Sequence, residues 1–330
     1  MIRLEPRRCV PSDAVEPVVS VLVLAYNHEP YLEQCLESVL SQEIGFHVEV
    51  LIGEDGSSDG TLSIARKFER EHPGVISVLS SPVNLGLYEN YRRVLESARG
   101  RFIAYLEGDD YWLPGKLSKQ VAFLQRVEDC AAVYSNAVVV DRNGKALGFF
   151  NDVRGGAFDL ADLLRHGNFL HTGSMLFRAE IIPSLLKIDR TFIDYRMHLV
   201  NSLSGRLEQL DEPLAAYRVN SVSSMLANKR DDVRRMYWEA IAAVPADAVE
   251  ASAIGRAHAD FLRRVIFRAV RTRDLALLRY WFWPTLRSSP AGISLTGWYI
   301  GAAIMRATVV QTKGWLASRW FGAPFILYRR

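Results

Sequence analysis

The patterned part of the chain opens with VVSVLVLAY at 18–26. An unbroken apolar run of this length predicts a strand buried on both faces. EPYLEQCLESVLSQ (29–42) then sets Leu32, Leu36, Val39 and Leu40 at helical spacing. The alternation repeats: VEVLIGED (48–55) reads as a strand, and SDGTLSIARKFEREH (58–72) as a helix with Ser58 or Asp59 as its N-cap. GVISVLS (74–80) and RFIAYLE (101–107) predict further strands, with the helix LGLYENYRRVLESA (85–98) between them. PGKLSKQVAFLQRV (114–127) predicts a helix with Pro114 near its first turn, followed by the strand AAVYSNAVVV (131–140). Repeated strand–helix–strand units imply an α/β fold, a mostly parallel, doubly wound sheet flanked by helices.

Beyond Asp141 the rhythm changes. DRNGKAL (141–147) predicts a hairpin turned at Asn143-Gly144. HTGSMLFR (171–178) reads as a strand, TFIDYRMHLVNSL (191–203) as a helix, and RLEQLDEPLAAYRV (206–219) as one or two strands. From about 229 onward the pattern is helical. The expected division is a catalytic α/β region over 1–225, with halves at about 18–140 and 141–225, and a basic, aromatic-rich helical region over 226–330.

Charge changes this picture at the C-terminal end. The 330-residue chain has a net charge of +3, yet residues 230–330 hold 16 Lys/Arg against 7 Asp/Glu. The same region carries RYWFWP, GWYIG and GWLASRWFGAPFILYRR. Basic, aromatic and apolar residues together suit an interfacial membrane segment, here 280–330. The uncharged run Ser288–Met305 holds Pro290 and three glycines, which favours a surface-associated segment over a spanning one. A helical cap packed on the catalytic region explains the same pattern. Cys9, Cys35 and Cys130 show neither metal spacing nor a disulfide framework. With MIRLEPRRCVPSDAVEP lacking the apolar core of a signal peptide, the expected location is the cytoplasm, or the inner face of the cell membrane. No nucleic-acid motif accompanies the arginines.

Ligands in open α/β sheets gather at the carboxyl ends of the strands. Here the first strand ends in AYNHE, the second in GEDGSSDG, the third leads to NLG, and the fourth ends in EGDDYW. Four strand ends thus bring acids, amides and glycines to one edge of the sheet. Neither a dinucleotide Gly-x-Gly-x-x-Gly, a phosphate-cradling Gly-x-x-x-x-Gly-Lys-Ser/Thr nor a Gly-x-Ser-x-Gly elbow is present. Oxygen ligands suit hard divalent cations that bridge carboxylates to phosphates. Glu107, Asp109 and Asp110 therefore point to Mg²⁺ or Mn²⁺ with a diphosphate.

The ordered set VSVLVLAYNHEPYLEQCLESVLSQ, VEVLIGEDGSSDGT, NLGLYENY, GRFIAYLEGDDYWLPGKL, HTGSMLFR and IDYRMHL resembles family 2 glycosyltransferases of the GT-A fold over about 18–220. The resemblance implies an inverting, metal-dependent transferase using a nucleoside diphosphate sugar, UDP-linked by preference. Its acceptor would be a glycan or lipid-linked molecule in surface polysaccharide or lipopolysaccharide synthesis. It places Ala25, Tyr26 and Asn27 in the nucleotide pocket, Glu29 by the ribose, Asp55 on the base, and Asn84 and Gly86 in the nucleotide loop. Glu107 and Asp109 take the place of the family's Asp-x-Asp. Asp109 is the first choice for the metal, Asp110 the second, and Asp109 also faces the nucleotide. Asp194 matches the catalytic base. Tyr111, Trp112 and His171 would line the sugar or acceptor site. Where many relatives continue from Tyr217-Arg218 to a histidine, this chain has Asn220.

Two alternatives carry different chemistry. A non-catalytic nucleotide-sugar-binding or scaffold protein on the same fold would not need Asp109, Asp110 and Asp194 together. A nucleotidyltransferase would need a Gly-rich basic loop after the first strand, where AYNHEPYLE stands.

Overall fold

The computed structural model describes residues 16–219, 230–321 and 325–328. Its sheet is built on β1 (Val19–Ala25), β2 (Val48–Glu54), β3 (Ile76–Ser80) and β4 (Phe102–Glu107), all parallel, in the order β4-β1-β2-β3. Period-two alternation splits each central strand between two cores. Leu22, Leu24, Ile103 and Tyr105 face one, and Val21, Val23, Ala104 and Leu106 the other. The helices α1 (Leu32–Leu40), α2 (Thr61–Glu71) and α4 (Lys116–Arg126) cover the second core, while α3 (Leu87–Glu96) covers the first.

The pairing register brings the strand ends level. Ala25 pairs with Glu54, Glu54 with Ser80, and Leu24 with Glu107. The polar residues after these strands therefore emerge along one edge.

The second half departs from simple parallel winding. The strand β6 (Cys130–Val140) does not lie beside β4. Between them runs β9 (Leu176–Arg178), antiparallel to both. Only the end of HTGSMLFR is a strand, because Thr172–Ser174 forms a 3₁₀ turn. RLEQLDEPLAAYRV becomes one long strand, β10 (Arg206–Arg218), parallel to β6, with register shifts on both sides of Pro213. Proline cannot donate to the ladder, so the irregularity falls there. The short β5 (Tyr111–Trp112) pairs with β10, as does β8 (Gly156–Phe158), and β6 turns at Gly144 into β7 (Ala146–Asn151).

Beyond β8, α5 (Leu160–His166), the short α6 (Ile182–Leu186) and α7 (Asp194–Leu203) pack on the first core. The C-terminal region adds α8 (Arg230–Ala242), α9 (Ala251–Thr272), α10 (Leu275–Arg287), α11 (Ile293–Phe321) and β11 (Phe325–Tyr328). Tyr237, Phe261 and Leu262 join the core that holds Tyr195 and Leu163, and β11 returns to pair with β7. The α8 and α9 helices therefore act as a cap. Farther out, α10 and α11 leave Tyr280, Trp283, Trp298 and Met305 exposed.

Candidate active site

At the end of β1 the chain turns sharply at Asn27, which has φ +54°, a left-handed conformation that asparagine tolerates better than most residues. The turn aims the Asn27 side chain at the next loop, where its Oδ1 accepts from the Ser58 N–H at 2.9 Å. The His28 N–H donates to Thr61 Oγ1 at 2.8 Å. The Glu29 carboxylate accepts from the Gly60 N–H, also at 2.8 Å, so it caps the start of α2. One oxygen of the exposed Glu29 carboxylate thus satisfies an otherwise unpaired helix N-terminal donor. Ala25 is buried beneath the turn, and Tyr26 is exposed beside it.

Asp55 is buried, and its two carboxylate oxygens accept from the backbone N–H groups of Leu85 and Gly86 at 2.8 and 3.0 Å. It fixes the Asn84–Gly86 loop against β2. Gly56, at φ +66°, lies so close to that loop that a Cβ would stand 2.6 Å from the Val83 carbonyl carbon. Gly86 also has positive φ, +87°, and opens α3.

The acids after β4 form the electrostatic centre. Asp109 and Asp110 are buried, and Glu107 is half-buried. Burial first, then the charge of Asp109, pushes the Glu107 and Asp110 carboxyls well above their usual range. Asp194, in the first turn of α7, contributes to both shifts, so the fold brings this distant acid within electrostatic reach of the β4 acids. Asp109 Oδ1 is buried and has no hydrogen-bond partner. His28 Nε2 lies 3.9 Å from Asp109 Oδ2, and His171 Nε2 lies 3.5 Å from Asp110 Oδ2. Burial pushes both imidazoles down, His171 to about 4. Neutral histidines do not balance the acids near pH 7.

Sequence reasoning gave no role to the residue that holds these acids in place. Arg218, at the end of β10, is buried. Its backbone N–H donates to Asp110 Oδ1 at 2.8 Å, and its Nε donates to the Asp109 carbonyl at 2.9 Å. Nη1 donates to the Asp141 carbonyl and Nη2 to Gln34 Oε1, while Tyr31 lies 4.5 Å from the guanidinium. A charged residue closing the apolar run PLAAYR was the available signal, since a buried arginine needs partners.

Trp112 requires a correction. It is buried in the core, not set in a wall of the sugar site. Its indole N–H donates to the Gly173 carbonyl at 2.8 Å, because a buried indole donor needs a partner. It therefore acts on the site by holding the 3₁₀ turn beside His171. Tyr111 is half-buried near the Arg218 guanidinium. Asn220 lies outside the described residues.

Among the described residues, no three His, Cys, Asp or Glu side chains form a ready metal cluster. The donor set nevertheless fits a hard divalent cation. Carboxylates are crowded in a low-dielectric pocket, and one buried oxygen has no partner. Asp109 and Asp110 would hold such an ion.

Known proteins share this framework. An uncharacterized protein of Mycobacterium tuberculosis is 30% identical over 222 residues, 67% of this chain and 64% of that protein. The chain therefore spans about 64% of that relative's length. An uncharacterized glycosyltransferase of Nostoc is 27% identical over 219 residues, covering 63% of this chain and 67% of that protein. Among solved structures, Staphylococcus aureus TarS in complex with UDP-GlcNAc superposes with a TM-score of 0.56 at 16% identity. That match covers 79% of this chain and 89% of the TarS chain, and it establishes a shared GT-A fold. The sequence profile described as Glycosyl transferase family 2 matches residues 20–186, and the chain belongs to that family.

Proposed function

We propose that the protein is an inverting glycosyltransferase that takes a nucleoside diphosphate sugar, UDP-linked by preference, and transfers the sugar to a glycan or lipid-linked acceptor. The observation that carries this reading is the buried acid cluster. Asp109 and Asp110 stand at the carboxyl end of β4 with an unpartnered Asp109 oxygen, and Asp194 is in electrostatic reach. A scaffold protein has no use for such repulsion, which costs folding free energy. Within family 2, the UDP preference is supported by the place of Asp55 at the end of β2 and by UDP-GlcNAc in TarS, a protein of the same fold.

In this reading the β1 and β2 loops, clamped together by Asn27 and Glu29, form the nucleotide floor. Asp55 keeps the Asn84–Gly86 loop close to the base. Asp109 and Asp110 would hold Mn²⁺ or Mg²⁺, which when bound would supply positive charge to stabilise the departing diphosphate. Asp194 accepts the acceptor hydroxyl proton as that oxygen bonds to the anomeric carbon. The bond from that carbon to the diphosphate oxygen breaks on the opposite face, and the diphosphate leaves with its electron pair. Proton acceptance by a positioned base is worth about 10²–10⁴-fold in rate.

The exposed α10–α11 face supports peripheral membrane contact. Ile293–Val310 is apolar enough by length and composition to cross a membrane, yet only 17% of that window is buried. Together with Arg279, Arg287 and Arg306 nearby in sequence, an exposed apolar and aromatic face suits an anionic lipid surface. Such a surface fits a lipid-linked acceptor in surface polysaccharide or lipopolysaccharide synthesis.

The test is a thermal-shift panel of UDP-, GDP- and dTDP-sugars with Mn²⁺, followed by Asp194→Asn. One nucleotide class should stabilise the fold, and Asp194→Asn should keep that binding while losing transfer. Stabilisation by none of them would sink the transferase reading.

A further inference from the structure

A cavity of about 420 Å³ lies between α5, α9, α11 and β11, outside the acid cluster. Arg165, Arg263, Arg264 and Arg306 line it, with Asp260 as the acid among them. The Asp260 carboxylate accepts from Arg263 Nη2 at 2.6 Å and from Arg264 Nε at 2.8 Å. It thus orders two guanidinium groups while balancing only one of the four charges. Asn168 also lines the cavity, and its buried Oδ1 has no hydrogen-bond partner. A concave site with excess guanidinium charge and an unpaired amide matches a phosphoryl group flanked by a hydroxyl-bearing moiety.

A relay of aromatic contacts connects the cavity wall to the acid cluster. Tyr328 lines it and packs on Phe150 at 4.9 Å, and Phe150 packs on His171 at 4.8 Å, beside Asp110. On the other side, the Arg264 guanidinium lies 5.2 Å from the Tyr237 ring. Tyr237 stacks at 4.6 Å on Tyr195, the residue after Asp194. Its outer wall is α11, the helix with the exposed apolar face.

We propose that this cavity is an acceptor subsite that binds a phosphate or diphosphate carried by the acceptor. The inference rests on the transferase reading, since it names the chemical class of that enzyme's acceptor. Guanidinium groups grip the phosphoryl oxygens bidentately. Whatever the phosphate bears then lies on the Asp194 side or against α11.

The test is calorimetric titration of the full chain in EDTA with inorganic pyrophosphate and with farnesyl diphosphate. Wild type, Arg165→Glu/Arg306→Glu and Asp109→Asn are compared. Both reversed arginines are exposed, so the core should be undisturbed, and a circular-dichroism melt verifies it. Wild type should bind. The double reversal should weaken binding at least tenfold, since each charge-assisted hydrogen bond is worth about a factor of ten. Asp109→Asn should bind as wild type does. Tighter binding of farnesyl diphosphate than of pyrophosphate upholds the site and assigns it a lipid carrier. Equal binding upholds it and assigns a water-soluble phosphate. No binding by wild type, full affinity after the double reversal, or loss in Asp109→Asn would overturn the proposal. Metal and sugar nucleotide are absent from this titration, so its failure is distinct from failure of the thermal-shift panel.

Discussion

The backbone N–H of Arg218 donates to Asp110 Oδ1 at 2.8 Å, across 108 positions of sequence. The bond ties the end of β10 to the loop after β4. The same residue's guanidinium secures the Asp109 carbonyl and two neighbouring segments. The acid cluster is thus held by an arginine that supplies one positive charge while spending its donors mainly on carbonyl and amide oxygens.

Arg218→Ala should lower folding stability by about 3 kcal/mol, because buried carbonyls and Gln34 lose charge-assisted donors together. Arg218→Lys should recover only part of this, since an ammonium cannot reproduce the planar fork. Urea denaturation measures both. An alanine variant as stable as wild type would contradict the bracing role.

The raised Glu107 and Asp110 carboxyls set a pH dependence for the metal-free protein. Above their ordinary values of 4.5 and 3.8, the folded chain keeps protons that the unfolded chain has lost. Their contribution to stability therefore falls as pH rises from that range toward the raised values. A divalent ion needs the same carboxyls ionised, so the melting-temperature gain from Mn²⁺ should grow with pH and be accompanied by proton release. Melts from pH 5 to 8, with and without MnCl₂, test this, and a gain that does not vary with pH would count against it.

Glu29→Gln and Asp55→Asn separate a clamp from a contact. Glu29 caps α2, and a glutamine oxygen can still accept from the Gly60 N–H, so its change should cost about 0.5 kcal/mol, the charge's interaction with the helix N-terminus, with little effect on nucleotide affinity. Asp55→Asn places an amide donor opposite a backbone N–H, so it should both destabilise the 84–86 loop and weaken nucleotide binding. Chemical denaturation paired with UDP titration distinguishes them. A Glu29→Gln variant that loses nucleotide but not stability would instead favour a ribose contact.

Trp283→Ala and Trp298→Ala should weaken binding to vesicles containing phosphatidylglycerol while leaving melting temperature nearly unchanged, because both side chains are largely exposed. Vesicle sedimentation measures the first and calorimetry the second. Equal sedimentation of variants and wild type would argue against contact through this face.

The central strands were legible because burial on both faces leaves no room for polar residues, as in VVSVLVLA and RFIAYL. The strand-end acids were legible because parallel register delivers them to one edge. Long-range choices were not. Nothing local marks β9 as the strand inserted between β4 and β6, since three residues carry too little pattern. Trp112 looked like a ligand wall because it follows the acids, but its side chain turns into the core to meet the Gly173 carbonyl. The cap that Glu29 places on α2 was not legible either, because local sequence does not show that the start of α2 will stand opposite the β1 loop. The tail's two natures, α8–α9 packed and α10–α11 with one face packed and the other exposed, depend on which faces meet the rest of the fold and not on composition.

The most direct test of the central claim is titration of a stabilising UDP-sugar into wild type and Asp109→Asn, each with Mn²⁺ and with EDTA. Tight binding to wild type with Mn²⁺, weakened at least tenfold by EDTA or by Asp109→Asn while the variant remains folded, is the predicted result. Binding of equal affinity in all four conditions would contradict a donor site built on a metal held by Asp109.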